Sequence, residues 1–247
     1  MQRQRIEFEP AYVLHARPYS DTSLLVEAFT AQHGRIGLIA RGARAPKSRK
    51  RVLLQVLQPL LMSWRESGDL GTLTAVEAAA APVTLAGESL FCAWYANELL
   101  LKLCSRHDAH PPLFAAYARL LLRLGSDAEA GLRAFEMVLL EELGYGLGLP
   151  EIIQPQARYR YHPAQGFRVA GEQDAPSQCY AGTSLAALRD DALHAPEEYQ
   201  DSRRLLRVAL GPLLNGRVLD SARLLRELRG LETGLAKMPD TETATTP

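Results

Sequence analysis

The sequence is short of cysteine. Its three, Cys92, Cys104 and Cys179, are odd in number and widely spaced, with no C-x-x-C pair, so no structural zinc site is expected. Cys92 and Cys104 fall in one helical pattern at a separation that places them about 120° apart around the axis. They read as small buried hydrophobes. No apolar run approaches ~18 residues, which excludes a membrane-spanning helix. The start, Met1-Gln-Arg-Gln-Arg-Ile-Glu7, lacks the apolar segment of a secretory signal, so a cytoplasmic location is expected.

Catalytic patterns are missing too. The six histidines show no H-x-x-x-H or H-E-x-x-H spacing, and His107 and His110 beside Asp108 read as exposed helix-end residues. No serine sits in a G-x-S-x-G elbow. The glycines between Gly37 and Arg44 lack the Lys-Ser/Thr and the following helix of a phosphate loop. Gly144, Gly146 and Gly148 have the wrong spacing for a dinucleotide fingerprint and close a helix instead. An enzyme is therefore not expected, and neither a cofactor nor a metal is implied.

The most informative absence is acidic. Between Ala28 and Arg65 there is no Asp or Glu, yet eight basic residues occur: Arg35, Arg41, Arg44, Lys47, Arg49, Lys50, Arg51 and Arg65. Most lie in Arg41-Gly-Ala-Arg-Ala-Pro-Lys-Ser-Arg-Lys-Arg51, a segment broken by Gly and Pro between two apolar runs. Nothing local neutralises this charge, so it is either solvated or meets an anion such as a phosphate backbone. The net charge of +0 hides the asymmetry. Residues 1–81 hold 11 Lys+Arg against 7 Asp+Glu, and residues 82–247 hold 17 against 21. Opposite signs in the two parts point to two domains with different partners.

What is present describes an α+β chain of 247 residues, 47% apolar and 23% charged, large enough for one big domain or two small ones. Residues 1–81 contain five strand-like runs, at 11–17, 23–29, 35–41, 53–64 and 70–76. In the third, Ile36, Leu38 and Ala40 alternate with Arg35, Gly37, Ile39 and Arg41, which gives a strand with one basic face. Pro59 in the fourth implies an edge, a bulge or a bend. Five short strands fit a small closed barrel, and an OB barrel and an SH3-like barrel both satisfy the count. An OB barrel would present oligonucleotides on strands 2–3 and the flanking loops. Arg17, Tyr19 and His33, at strand ends, would then be able to stack on a base, although Tyr19 is equally explained by packing over the barrel end.

Residues 82–235 read as a helical domain, with an irregular or hairpin insert at 150–182 and a disordered tail at 236–247. Helical patterns cover about 85–106, 113–124, 128–143, 184–194, 196–214 and 221–231. Ser126 and Asp127 offer N-cap chemistry, and Pro196-Glu-Glu198 opens another helix with acids facing its dipole. On residues alone, an OB-type RNA-binding module and a protein-interaction scaffold stay open beside a DNA-binding role.

Several motifs together resemble the RecO family of DNA repair and recombination mediators. They are Ala11-Tyr-Val-Leu-His-Ala-Arg-Pro-Tyr-Ser-Asp-Thr-Ser-Leu-Leu25, His33-Gly-Arg-Ile-Gly-Leu-Ile-Ala-Arg-Gly-Ala-Arg44 and Leu57-Gln-Pro-Leu-Leu61. Tyr95-Ala-Asn-Glu-Leu-Leu100, Leu132-Arg-Ala-Phe-Glu-Met-Val-Leu-Leu-Glu-Glu-Leu-Gly-Tyr-Gly146 and Arg217-Val-Leu-Asp-Ser-Ala-Arg-Leu-Leu225 follow in order.

The resemblance implies a five-stranded OB-type β-barrel followed by an α-helical domain. It implies binding of single- and double-stranded DNA, and annealing of strands coated by single-stranded DNA-binding protein. It also implies work with RecR in loading RecA, at the nucleoid and without nucleotide hydrolysis. Many members hold zinc through four cysteines after the Gly-Tyr motif. Here Leu149-Pro-Glu-Ile-Ile-Gln-Pro-Gln156 follows, so the chain resembles a zinc-less branch. The expected DNA contacts are Arg17, Tyr19, Arg35, Arg41, Arg44, Lys47, Arg49, Lys50 and Arg51. The acidic, Phe-ended tail of single-stranded DNA-binding protein is expected at Leu132, Arg133 and Phe135, with Arg133 as the clamp. The simpler reading pairs Arg133 with Glu129 or Glu136 on the helix surface.

Overall fold

The computed structural model describes residues 5–221, 223 and 224. Most of the helix expected at 221–231, and all of the tail expected at 236–247, lie outside the described residues.

The first strand, β1 (Arg5–Tyr19), is long enough to serve two neighbours. Its first half pairs with β4 (Pro59–Arg65) and its second half with β2 (Ser23–Thr30). The register slips between Ile6 and Glu9, and again between Val13 and His15, so bulges coil the strand around the barrel. β3 (Gly34–Ala40) and β5 (Gly71–Ala78) complete a closed barrel in the order β1-β2-β3-β5-β4. Every pairing is antiparallel except β3 with β5, which meet in parallel at Leu38↔Gly71 and Ile39↔Thr72. That closure makes the barrel OB-type and removes the SH3-like alternative.

Inside, Ile36, Leu38 and Ala40 point inward as their spacing predicts, and they pack with Val13, Val26, Ala28, Leu60, Met62 and Trp64. Pro59 is the first residue of β4, where a missing N–H disrupts the ladder least. The run expected as one strand at 53–64 is divided. Its start belongs to a short helix, α1 (Arg49–Leu53), which buries none of its own side chains. Just beyond it, Leu54 joins the barrel core and Leu57 the helical core.

The rest of the described residues form helices around one small sheet. The helices are α2 (Glu88–Leu103), α3 (Pro111–Arg123), α4 (Ala128–Glu142), α5 (Gly182–Arg189) and α6 (Pro196–Leu214). Asp127 caps α4 by accepting the Ala130 N–H at 3.1 Å. Glu198 accepts the N–H groups of His194 and Ala195 at 2.8 and 3.0 Å at the start of α6. The insert holds β6 (Arg158–His162), β7 (Gly166–Val169) and β8 (Cys179–Ala181), in the order β7-β6-β8. Among the described residues, no helix is long and apolar enough to cross a membrane.

Barrel and helices share a core. Tyr12 and Phe29 of the barrel stack against Phe114 and Tyr117 of α3, with ring centroids 5.1–6.3 Å apart. Asn97 of α2 donates to the Leu14 carbonyl at 3.1 Å and accepts from the Tyr117 hydroxyl. The two parts therefore pack as one body although their sequence patterns change near residue 82.

Candidate nucleic-acid interface

The barrel end at Tyr19 and Ala40 gathers most of the expected cations. Leu24 and Leu25 of β2 face Pro18 and Arg17 on one side and Ala40 and Ile39 on the other. The ends of β1 and β3 are thus two inter-strand spacings, about 10 Å, apart. The loop after β3 folds back over this end. The Arg44 N–H donates to the Thr22 carbonyl at 2.8 Å, and its guanidinium donates to the Ser20 carbonyl at 3.1 Å. Ala43 anchors the loop by burying its methyl in the barrel core. Arg41, Arg44, Lys47, Arg49 and Arg51 are left exposed, with Lys50 half-exposed. Arg17 and Tyr19 are exposed beside them. Among the described residues, none of these seven cations makes an ion pair. Arg49, Lys50 and Arg51 stand on α1, not in a loop as the Gly/Pro-rich spacing suggests.

Two expected members lie elsewhere. Arg35 is committed to the contact with the helices. It donates to Glu27 and to the Cys104 carbonyl, each at 3.0 Å, and its own carbonyl accepts the His107 N–H at 2.9 Å. Arg106 adds a second guanidinium to Glu27. His33 sits at the other end of β3, about 20 Å from the basic loop at ~3.3 Å per residue. It packs edge-on against Trp64, with Nδ1 3.6 Å from Glu9. It is therefore not positioned beside the loop.

The outer face of β2 and β3, where an OB barrel commonly carries its ligand, is filled by the chain itself. Phe29 is fully buried among the helices. A methyl added at Gly34 would lie 1.8 Å from the Asp108 carbonyl oxygen, and Gly34 has φ +63, so only glycine suits the site. A methyl at Gly37 would meet the Leu70 side chain at 2.7 Å and Arg106 at 3.0 Å. The accessible cationic surface is consequently the loop end of the barrel and not its strand face.

The expected tail receptor also needs correction. Leu132 and Phe135 are core residues, and Arg133 is only 7% exposed. Arg133 pairs with Glu136 at 2.8 Å, inside the protein rather than on its surface. Glu136 also accepts the Tyr95 hydroxyl at 2.7 Å. Burial raises the Glu136 carboxyl above its ordinary range, and Arg133 and Tyr95 offset this only in part. Arg133 is thus no rim cation.

A groove that does have exposed cations lies between α3, α4 and the end of α5. Leu120, Phe135, Val138 and Leu188 line it, with Arg119 and Arg189 exposed at its edge. Arg189 is paired with Asp190, whereas Arg119 makes no ion pair among the described residues. Arg119 directly precedes the buried Leu120 and Leu121 of α3, an adjacency that does not by itself mark a groove in the sequence.

The fold and this site define an OB-barrel protein whose cationic loop end is joined to a helical body. Two family models match in that order, recombination protein O N terminal over residues 5–82 and recombination protein O C terminal over residues 85–207. The chain belongs to the RecO family. It is 42% identical over 236 residues to the DNA repair protein RecO of Burkholderia pseudomallei, covering 92% of this chain and 86% of that protein. It is also 42% identical to the DNA repair proteins RecO of Aromatoleum aromaticum and Methylococcus capsulatus. Those matches cover 93% and 90% of this chain, and 99% and 94% of theirs.

Proposed function

We propose that the protein is a DNA repair and recombination mediator that binds single- and double-stranded DNA and anneals complementary strands without nucleotide hydrolysis. The observation that carries this reading is the cationic barrel end, where exposed arginines and lysines have no internal counter-charge. Two DNA strands repel one another. A surface that displaces their counterions lowers that repulsion, and backbone contacts leave the bases free to pair. Arg41, Arg44, Lys47, Arg49, Lys50 and Arg51 hold phosphates, with Arg17 and Tyr19 at the margin, where Tyr19 stacks on a base. Little sequence preference follows.

The strands arrive coated with single-stranded DNA-binding protein. Its acidic, apolar-ended tail fits the groove edged by Arg119 and Arg189, because such a receptor needs an apolar floor and a cation at the rim. RecR and, through it, RecA are the further partners that family membership supports, in the cytoplasm at the nucleoid.

Equilibrium binding of a labelled oligonucleotide, measured across salt concentrations, tests the site. Changing Arg44, Lys47, Arg49, Lys50 and Arg51 to Ala should weaken binding and make the log K against log salt slope shallower by about 3.5, at ~0.7 per lost single-strand phosphate contact. An unchanged slope removes the loop from the interface. A strong preference for RNA would move the protein to a different class.

A further inference from the structure

In the small sheet, β8 and β6 are well anchored. Tyr159 and Tyr180 are buried in the helical core. Arg204 of α6 lies 4.7 Å from the Tyr180 ring centre and donates to the Ser177 carbonyl at 2.6 Å, while Asp201 accepts the Ala181 N–H at 2.8 Å. The outer strand β7 has far less. It pairs only with β6, Val169 is 60% exposed, and its one apolar anchor among the described contacts is the half-buried Phe167, which packs on the helical core and stacks on Tyr161 at 4.8 Å between centroids.

The pairing of β7 with β6 contains a conflict. Arg160 and Arg168 are directly opposite in the register. Like charges at that position push two strands apart. Between them lies Asp174, whose side chain is 7% exposed. Its carboxylate accepts from Arg160 at 2.6 Å, from both terminal nitrogens of Arg168 at 2.6 and 2.7 Å, and from the Gly171 N–H at 2.9 Å. These bonds, that of Arg168 first, hold its carboxyl well below the usual carboxylate range.

We propose that Asp174 is the anionic keystone of the insert, and that its carboxylate, set between two facing arginines, holds β7 and the loop of residues 170–178 onto β6. Arg160 and Arg168 are then positioning residues whose repulsion becomes an attachment once the carboxylate lies between them. Attachment of β7 and this loop then rests chiefly on one side chain.

Backbone amide exchange on the full chain, in the presence of a chelator, tests this. Asp174→Asn should speed exchange in residues 158–178 at least about tenfold, with amides of α2 to α4 unchanged, because local opening is governed by local contacts. Arg168→Thr alone should speed exchange less than Asp174→Asn does, because it removes an attachment and a repelling charge together. The double variant, Asp174→Asn with Arg168→Thr, should recover most of the protection, since the facing charges are gone. It also decides the matter if the single Asn variant does not fold. Native protection in Asp174→Asn overturns the proposal, and so does a double variant no better protected than the single one.

Discussion

Arg133 and Glu136 stabilise the helical body only as a pair. Removing one member leaves the other as a bare charge in a site shut off from bulk solvent. Arg133→Met should therefore cost about 3–5 kcal/mol in a urea titration. Arg133→Met with Glu136→Gln should cost clearly less, because the buried charge is gone while Tyr95 keeps an acceptor. A single variant as stable as the native chain would mean that Glu136 is solvated. The same arithmetic governs any test of partner binding. A variant at Arg133 that loses a partner does so through the fold, whereas Arg119, exposed and unpaired among the described residues, reports on contact.

At the scale of elements, polar contacts at defined positions add to the shared apolar core. Glu98 on α2 accepts the N–H groups of Asp220 and Ser221 at 2.9 and 3.0 Å and the Ser221 hydroxyl at 2.7 Å, and it pairs with Lys102 at 2.8 Å. Burial alone would raise its carboxyl, but the bonds from Lys102, Ser221 and Asp220 outweigh that and bring it down to about 2. A folded value below the unfolded one, roughly 4.3, means that the stabilisation is complete above that value and fades as pH falls toward 2. Urea midpoints measured from pH 6 to pH 3 should fall less steeply for Glu98→Gln than for the native chain. Parallel curves would detach Glu98 from the docking of residues 220–221.

Much at this scale was legible in advance. Strict alternation set the inward face of β3, the Asp127 cap opened α4, and Pro196 with its two acids opened α6. What stayed hidden has a common cause. Arg35 and Glu136 bond to partners on other elements, and Arg133 is buried although its partner stands one turn away on the same helix; charge reads as exposure until the packing is known. The short α1 was invisible because five residues with no buried face leave no period to detect. The ends of β1 were underestimated because bulges break its alternation.

Across the whole molecule, the cationic barrel end and the groove edged by Arg119 are built from different parts of the fold, the β1–β2–β3 end and the α3–α4–α5 face. On the proposed sites, DNA and a protein tail would occupy different faces. The helices cover much of the strand face of the barrel, so the proposed DNA path runs over the loop end. The central measurement is annealing, without ATP, of complementary strands coated with single-stranded DNA-binding protein. It compares the native chain with the five-fold Ala variant at Arg44, Lys47, Arg49, Lys50 and Arg51. The account predicts fast annealing by the native chain, weakened by salt, and its loss in a folded variant. Absence of annealing by the folded native chain would contradict the mediator function, and equal annealing by both proteins would contradict the site.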